Sequence, residues 1–330
     1  MKAGSANKMP SLPKSYEDVN YRLRPAKQIE RKIFVETLHR LVGAGYPIYD
    51  YTYVGMGSVF FVDFKLLHKY LYIDKMICVE ATDIPRRMKF NKPWGFIEVE
   101  MAPFSEVLPK LDQNTEHIIW LDYDQVLTPE TLRDIDSAAS ILPPGSILIV
   151  TVEARPRLPE RQENKRLTQA QIEKAVLSYY HEEFTRFVAH DIEMEHISQN
   201  SLASLNAEIL RSQLDVTMAS RRDVEFFQLF NFRYKDTVPM LSLGGIIDTD
   251  SDRLDESGIL AETYITMGES PIPIYVPPLT LREQDYLNRT VRMSEGGLES
   301  GDLELELDER AVRDYHKYYR HYPSYRETLF

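Results

Sequence analysis

The sequence contains a single cysteine, Cys78, among its 330 residues. One cysteine excludes a disulfide within the chain, and its place in an apolar, strand-like run indicates buried packing rather than a thiol nucleophile. No uncharged apolar run approaches the ~20 residues that span a membrane, and the first 19 residues lack the apolar core of a signal peptide. We therefore expect a cytoplasmic protein without a membrane segment.

Positive charge is also scarce, because 39 lysines and arginines face 51 aspartates and glutamates, for a net charge of −12. This balance argues against a protein that coats nucleic acid, although a local basic patch would still allow such contact. Hydrophobic residues make up 43% of the chain, which is enough for a substantial core. The length fits one large domain with additions, or two modest domains.

The stretch from Tyr51 to Ser58 has the order strand, glycine turn, helix. A β-branched and aromatic run leads into Gly55 and Gly57, and a helical pattern begins at Phe60. Such glycines would let the backbone take positive φ and approach a ligand, while the helix would point free N–H groups at the same place. The alternative is that the glycines only pack the helix against the sheet.

An acidic residue after the second predicted strand indicates which ligand to test. That strand runs from Lys75 to Val79 and is followed by Glu80, 23 positions after Gly57. An acid at about this spacing binds the ribose diol in dinucleotide-binding units. The sequence therefore predicts a nucleoside ligand.

Strand and helix patterns alternate from Tyr51 onward and predict a parallel sheet with helices on both faces. Two later apolar runs, Val224 to Tyr234 and Val238 to Ile247, predict an antiparallel hairpin that completes the sheet. Ligands of such sheets bind at the carboxyl ends of the strands.

A helix predicted from Pro25 to Gly43 precedes the first strand. Basic residues are concentrated around its start: Arg22, Arg24, Lys27, Arg31 and Lys32. A cluster of this kind is most often a solvated face. Because Arg24 and Lys27 come shortly before the glycine turn, they are also candidates to bind a carboxylate or phosphate of the ligand.

Three segments together resemble a bacterial family of O-methyltransferases. They are Tyr21 to Lys27, Val54 to Ser58 and Trp120 to Asp124. The resemblance implies an α/β, Rossmann-like sheet in the order 3-2-1-4-5-7-6 with an antiparallel last strand pair, and S-adenosylmethionine as methyl donor. It also implies that Glu80 binds the ribose and that one loop lies beside the methionine portion. The residues of that loop are Gly55, Met56, Gly57 and Ser58.

Two positions depart from the methyltransferase pattern. The third strand is followed by Glu100 and, further on, Ser105, where methyltransferases often carry an aspartate for the adenine amine. One of these two residues would have to replace it. Tyr53 and Val54 occupy the places just before the glycines, where an acidic residue is common. Both departures argue for weaker binding of the donor.

The candidate catalytic residues are Asp122, Tyr123 and Asp124, which follow the fourth predicted strand at the expected ligand crevice. An acceptor hydroxyl needs a base or a metal to become nucleophilic, and Asp122 is the first choice as base. Capping of the next helix or pairing with an arginine is the alternative role, most of all for Asp124.

The sequence demonstrates no metal site. Glu153, at the end of the fifth strand, could complete a carboxylate set for a divalent cation. His190 and His196 are six residues apart, a spacing that does not place both rings on one helix face.

The chain is predicted to fall into four parts. A flexible tail covers residues 1–20, a methyltransferase-like domain covers 21–250, a helical insertion or lid lies within it at about 155–222, and a C-terminal extension covers 251–330. The extension holds an acidic segment and a tail rich in tyrosine and basic residues. That tail could stack bases, bind a protein partner or dock on the body of the chain.

Three functions remain open at this point. The first is methyl transfer from S-adenosylmethionine to an oxygen, or to a nitrogen, of an unidentified acceptor. The second is a catalytically inactive, methyltransferase-like protein that binds a nucleoside as a sensor or assembly partner. The third is an adaptor whose tail binds protein or nucleic acid.

Overall fold

The computed structural model describes residues 24–157, 168–187, 197, 201–290 and 307–323. The strands are β1 Thr52–Met56, β2 Lys75–Val79, β3 Ile97–Glu100, β4 His117–Val126, β5 Ile147–Glu153, β6 Glu225–Lys235, β7 Pro239–Asp248 and β8 Ile272–Ile274. They form one sheet in the order β3-β2-β1-β4-β5-β7-β6-β8. The predicted order 3-2-1-4-5-7-6 is confirmed, and β8 extends the sheet by one strand.

The strand directions follow the Rossmann-like methyltransferase pattern. Strands β1 to β5 pair with one another in parallel. Strand β7 is antiparallel to both β5 and β6, so the predicted hairpin is confirmed. The added strand β8 runs parallel to β6.

The helices cover both faces of the sheet. They are α1 Pro25–Gly43, α2 Val62–Leu71, α3 Pro85–Asn91, α4 Phe104–Val107, α5 Pro129–Ile141, α6 Gln169–Glu183, α7 Leu202–Ser220, α8 Asp252–Ser257, α9 Leu281–Thr290 and α10 Glu309–Tyr318. Because side chains alternate along β1, Tyr53 joins the core beneath α1, α2 and α3, while Val54 joins the core beneath α5 and α7. The longest described helices, α1 and α7, have 19 residues each. Neither these two nor any other described helix is long and apolar enough to cross a membrane.

Strand β4 is longer than the sequence pattern predicts. The pattern ends it at Leu121, whereas the structure extends it to Val126 through a register irregularity after Asp122. Pairing with β1 ends at Gly55 and Trp120, so the continuation of β4 runs past the end of its neighbour. This difference in length opens a crevice at the carboxyl edge of β1 and β4, where the strand order reverses.

Helix α1 is held at its start by the turn between β6 and β7. Pro25 occupies the first turn, where its missing N–H is harmless. The carboxylate of Asp236 accepts the backbone N–H of Ala26 at 2.9 Å and that of Lys27 at 3.1 Å. These bonds satisfy two of the amides that a helix leaves unpaired, and they fix α1 over the crevice end of the sheet.

The helical segment predicted as an insertion or lid contributes to the core. The capping box at the start of α6 is confirmed, with Thr168 and Gln171 exchanging hydrogen bonds. Helix α7 packs against α5, β6 and β7, and it buries Leu205, Ile209 and Leu210. Helix α7 is therefore a layer of the fold that covers one face of the sheet.

The tyrosines of the C-terminal tail dock on the body of the chain. Tyr318 is buried and donates its hydroxyl hydrogen to the Pro273 carbonyl at 2.8 Å. Tyr322 donates in the same way to Pro277 at 2.6 Å, and Tyr315 donates to Asn288 at 2.9 Å. These rings serve intramolecular packing, whereas Tyr325 lies outside the described residues.

Strand β7 generates a test of the fold, because Gly245 has no room for a side chain. A Cβ atom there would lie 2.1 Å from the Phe227 carbonyl oxygen on β6. We expect Gly245→Ala to lower the free energy of unfolding by about 1–3 kcal/mol or more, through forced backbone shifts. Urea unfolding followed by circular dichroism measures it.

The matched control is Gly43→Ala at the end of α1, where nothing lies within 4 Å of an added Cβ. Alanine is the better helix former, so this variant should be as stable as the parent or more stable by up to about 1 kcal/mol. Equal stability of the two variants would show that β6 and β7 do not pair in this register.

Candidate active site

The glycine turn lies at the crevice, but its glycines serve a different purpose from the predicted one. Positive φ occurs at Gly45, Gly145 and Gly258 among the described glycines and not at Gly55 or Gly57, so that prediction is wrong. A Cβ on Gly55 would lie 2.3 Å from the Tyr53 hydroxyl oxygen, and one on Gly57 would lie 2.8 Å from the Cys78 sulfur. Both glycines are required by close packing within the sheet and beneath the loop.

The first residues of α2, Val62 to Phe64, line the same crevice. Its N-cap is Phe61, which has φ of 49° and supplies no capping side chain. The Ser58 hydroxyl accepts the N–H of Phe60 at 3.2 Å, before the helix begins. The first amides of α2 therefore remain available for an acceptor group in the crevice. A buried phenylalanine in the left-handed region is uncommon, and such backbone strain concentrates at functional sites.

Glu80 directly follows β2 and Glu100 is the last residue of β3, so both lie at the same edge of the sheet. The Cβ of Glu80 is 3.1 Å from the position that a Cβ on Gly57 would take, so this acid borders the glycine turn. One of its oxygens accepts the N–H of Thr82 at 2.8 Å, and burial raises the pKa of its carboxyl group. Glu100 instead pairs with Lys110 at 2.8 Å, near the surface.

Alternation along β4 separates the three candidate catalytic residues. The side chain of Asp122 points toward α1, where Lys27 Nζ lies 2.8 Å from Oδ1. Asp124 lines the crevice together with Asp122, Gly57 and Ser58. Tyr123 points to the opposite face and donates its hydroxyl hydrogen to Asp134 at 2.6 Å. The structure thus brings two of the three residues to the glycine turn.

A charged row of α1 lies buried against the sheet, so the prediction that this basic cluster is mainly a solvated face is wrong for its central members. Lys27 and Glu30 are 0% exposed, and Arg31 is 1% exposed. Lys27 Nζ contacts Glu30 Oε2 at 2.9 Å in addition to Asp122, and it lies 4.5 Å from the centre of the Trp120 ring. Lys27 does meet carboxylates, but they belong to the protein itself.

Arg24 and Arg31 extend this row at either end. Arg24 Nε lies 3.8 Å from Asp236 Oδ2. Arg31 binds Asp63 of α2 through two nitrogens, and its Nη2 lies 3.1 Å from Oδ2. The remaining nitrogen of Arg31, Nη1, is buried and has no hydrogen-bond partner among the described residues.

These cations fix the charge of Asp122. Burial by itself raises the pKa of its carboxyl group, but Lys27, Arg24 and Arg31 outweigh burial and hold the pKa below its usual value. Burial dominates at Glu30, whose pKa is raised despite Lys27. Lys27 itself keeps a raised pKa, because Asp122 and Glu30 together outweigh its burial. Asp122 is therefore an anion at neutral pH and a weak proton acceptor.

The described residues contain no cluster of three or more histidine, cysteine or acidic side chains that could hold a metal ion. Glu153 is 7% exposed and forms an ion pair with Arg155. The predicted weak cluster from His190 to His196 lies outside the described residues.

Three residues of the site were not among the candidates chosen from the sequence, namely Glu30, Arg31 and Asp63. The sequence does contain an indication of the first two. Charged residues recur on α1 at the helical spacing of one face, from Arg24 through Lys27 to Arg31. When such a row lies beside the apolar positions of a helix, it indicates that the charged side chains are buried together with the apolar face. Asp63 gave no signal, because its partner lies on another helix.

Comparison with known proteins identifies one family. A family model described as "Putative O-methyltransferase" matches residues 19–330. No curated protein sequence matches the chain.

Several solved structures match the chain at low sequence identity, among them the following three. N-methyltransferase NodS from Bradyrhizobium japonicum WM9 is 12% identical, with 67% of this chain and 97% of that chain covered and a TM-score of 0.35. Trm1 from Pyrococcus horikoshii, solved with S-adenosyl-L-methionine, is 13% identical, with 74% and 61% covered and a TM-score of 0.43. O-methyltransferase TomG from Streptomyces achromogenes is 14% identical, with 64% and 78% covered and a TM-score of 0.35.

Lys27→Met tests the buried ion cluster. The substitution removes the cation that binds both Glu30 and Asp122, which should lower the free energy of unfolding at pH 7 by about 3–5 kcal/mol. Without Lys27 the folded-state pKa of both carboxyl groups should rise. A carboxyl group whose pKa is higher in the folded than in the unfolded state lowers the free energy of unfolding as the pH rises through that pKa. The difference in stability between the variant and the parent should therefore be smaller at pH 5 than at pH 7.

The control for this variant is Lys89→Met on the exposed side of α3, which should change stability by less than about 0.5 kcal/mol. Adding Glu30→Gln to Lys27→Met should recover part of the loss. A Lys27→Met protein that is as stable as the control at both pH values would contradict the cluster.

Proposed function

Because this chain belongs to the family described as "Putative O-methyltransferase", we propose that it transfers a methyl group from S-adenosylmethionine to an oxygen atom of its acceptor. The observation that supports this most is the edge of the sheet between β1 and β4. There the glycine loop, the uncapped start of α2 and the anion Asp122 line one crevice. The acid Glu80 borders that crevice.

The side chains at the crevice fit the donor's chemistry. Glu80 at the end of β2 offers a carboxylate to the ribose hydroxyls, and the part of the glycine loop that lines the crevice, from Met56 to Ser58, borders the place for the methionine portion. Glu100 has its carboxylate bound by Lys110, so its contact with the adenine amine requires that ion pair to open. S-adenosylmethionine supplies a methyl group activated by a positively charged sulfur.

Asp122 contributes a fixed negative charge more than a strong base. Lys27 anchors one of its oxygens, and the side chain keeps 18% of its surface exposed toward the crevice. An anchored carboxylate can accept a hydrogen bond from an acceptor hydroxyl and orient its oxygen for in-line attack. The negative charge of this carboxylate can also offset the positive charge on the sulfur of the donor. Positioning and electrostatics therefore carry the catalysis that we assign to this residue.

A second function, binding of a nucleoside without catalysis, follows from the same crevice. It is supported by the tight pairing of Asp122 with Lys27 and by the Tyr53 ring, which covers the face of Gly55. The two functions share donor binding and differ in turnover. Transfer of the methyl group separates them.

Calorimetric titration with S-adenosylhomocysteine, the donor without its methyl group, tests the site. Glu80→Gln should weaken binding about tenfold or more, because it removes charge-assisted hydrogen bonds to the ribose. Glu98→Gln on the exposed side of β3 is the matched control and should bind like the parent. A parent protein that does not bind the nucleoside would refute both functions.

Asp122→Asn tests the catalytic assignment. The variant should bind S-adenosylhomocysteine within a few fold of the parent and transfer labelled methyl groups to cell-extract acceptors about 10²-fold more slowly. Its melting temperature must be measured alongside, because the change also breaks the pair with Lys27. Transfer at the parental rate would remove Asp122 from catalysis.

A further inference from the structure

A second cavity, which we call the outer groove, lies between α1, α2 and the residues that follow α10. Its volume of about 540 Å³ falls within the ~300–1,000 Å³ that is usual for small-molecule sites. The outer groove and the crevice between β1 and β4 have no lining residue in common. An inference about the outer groove therefore does not depend on the proposed function.

One side of the outer groove is apolar. Val35 of α1 lies there, together with Leu66 and Tyr70, which are one turn apart on α2. The Tyr70 side chain is 47% exposed, although it is large and largely apolar. Such a surface can hold the apolar body of a ligand, because contact with the ligand would remove it from water.

Two cations lie at the outer groove without a carboxylate partner. Lys32 Nζ donates to the Tyr322 carbonyl at 3.3 Å, and neither Lys32 nor Arg320 forms an ion pair within the part of the chain that the structure describes. Burial lowers the pKa of Lys32, as expected for a cation that lacks a nearby negative charge. These two side chains offer hydrogen-bond donors and positive charge to an anion.

The acid that lines the outer groove is already bound. The carboxylate of Glu36 accepts from His321 Nε2 at 2.6 Å and from Arg40 Nη2 at 3.1 Å. Burial lowers the pKa of His321 despite Glu36, and the positive charges of Arg320 and Lys32 lower it further. His321 is therefore neutral at pH 7, and Glu36 does not offset the charge of the other two cations.

We propose that the outer groove binds a small carboxylate with an apolar body. The apolar body lies against Leu66 and Tyr70. The carboxylate lies between Lys32 and Arg320. Positive charge repels a cationic ligand from this place, and a neutral apolar ligand leaves both cations without a partner.

Calorimetric titration with two compounds that share one ring system tests this site. The probes are 2-naphthoate, which carries a carboxylate, and 2-naphthalenemethanol, which carries a neutral hydroxymethyl group at the same position. The parent should bind 2-naphthoate at least about tenfold more tightly, as expected for charge-assisted hydrogen bonds.

Substitution of Arg320 locates the carboxylate. Arg320→Gln should weaken 2-naphthoate about tenfold and change the affinity for the alcohol by less than about twofold. Arg320→Lys keeps the positive charge and should recover most of the affinity. Arg313→Gln removes an exposed cation of α10 outside the outer groove, so this control should bind like the parent.

Substitution of Tyr70 locates the ring. Tyr70→Ser should weaken both compounds by a similar factor, about two- to tenfold, because the loss concerns the apolar body that they share. Tyr72→Ser is the matched control, since Tyr72 is 73% exposed and does not line the outer groove.

Three results would each overturn the proposal. The first is equal affinity of the parent for the acid and the alcohol. The second is parental affinity of Arg320→Gln for 2-naphthoate, which would place the anion elsewhere. The third is a parent that binds neither compound and sediments as a dimer that Tyr70→Ser dissociates, which would show a second copy of the chain in the outer groove.

Discussion

The contact between Lys27 and Asp122 joins the two parts of the molecule on which the site depends. Lys27 belongs to α1, which precedes the sheet, and Asp122 belongs to the stretch of β4 that runs past the end of β1. Their ion pair at 2.8 Å ties that strand end, which pairs with β5 but not with β1, to the helix above it. Without this tie, the continuation of β4 would lack a partner on the β1 side, and the crevice would lose one wall.

Burial of this ion pair costs desolvation free energy, which interactions with the surrounding groups must offset. Glu30 supplies a second carboxylate to Lys27, and the Trp120 ring lies beneath the ammonium. Arg31 and Asp63 form the next pair and connect α1 to α2. A buried pair of this kind adds little stability compared with apolar residues of the same volume, but it fixes geometry. In this protein the geometry that it fixes is that of the crevice.

The sequence predicted the fold well because its periodicity is a local property. Alternating strand and helix patterns predicted the parallel sheet, two apolar runs predicted the hairpin, and the family resemblance supplied the strand order. The end of β4 was predicted too early, since Asp122 to Gln125 are polar residues that continue the strand. Sheet pairing with β5 overrides their weak strand propensity.

The site was harder to predict, because burial of a charge depends on partners that are distant in sequence. Nothing near Lys27 in the sequence shows that Asp122 will face it, and nothing near Arg31 shows Asp63. The spacing of the glycines suggested a backbone conformation that the structure does not have, since Tyr53 and Cys78 alone require their small size. The assignment of Asp122 as base, ribose contact by Glu80 and adenine contact by Glu100 stay predictions.

A crystal structure of the chain with S-adenosylhomocysteine is the decisive test of the proposed donor site. We expect the ribose at Glu80, the sulfur near the loop from Gly55 to Ser58, and the acceptor side of the crevice open at Asp122. Another cavity is large enough to compete, the groove of about 540 Å³ lined by Lys32, Leu66 and Arg320. Nucleoside density in that groove, with the edge between β1 and β4 unoccupied, would contradict the proposed donor site.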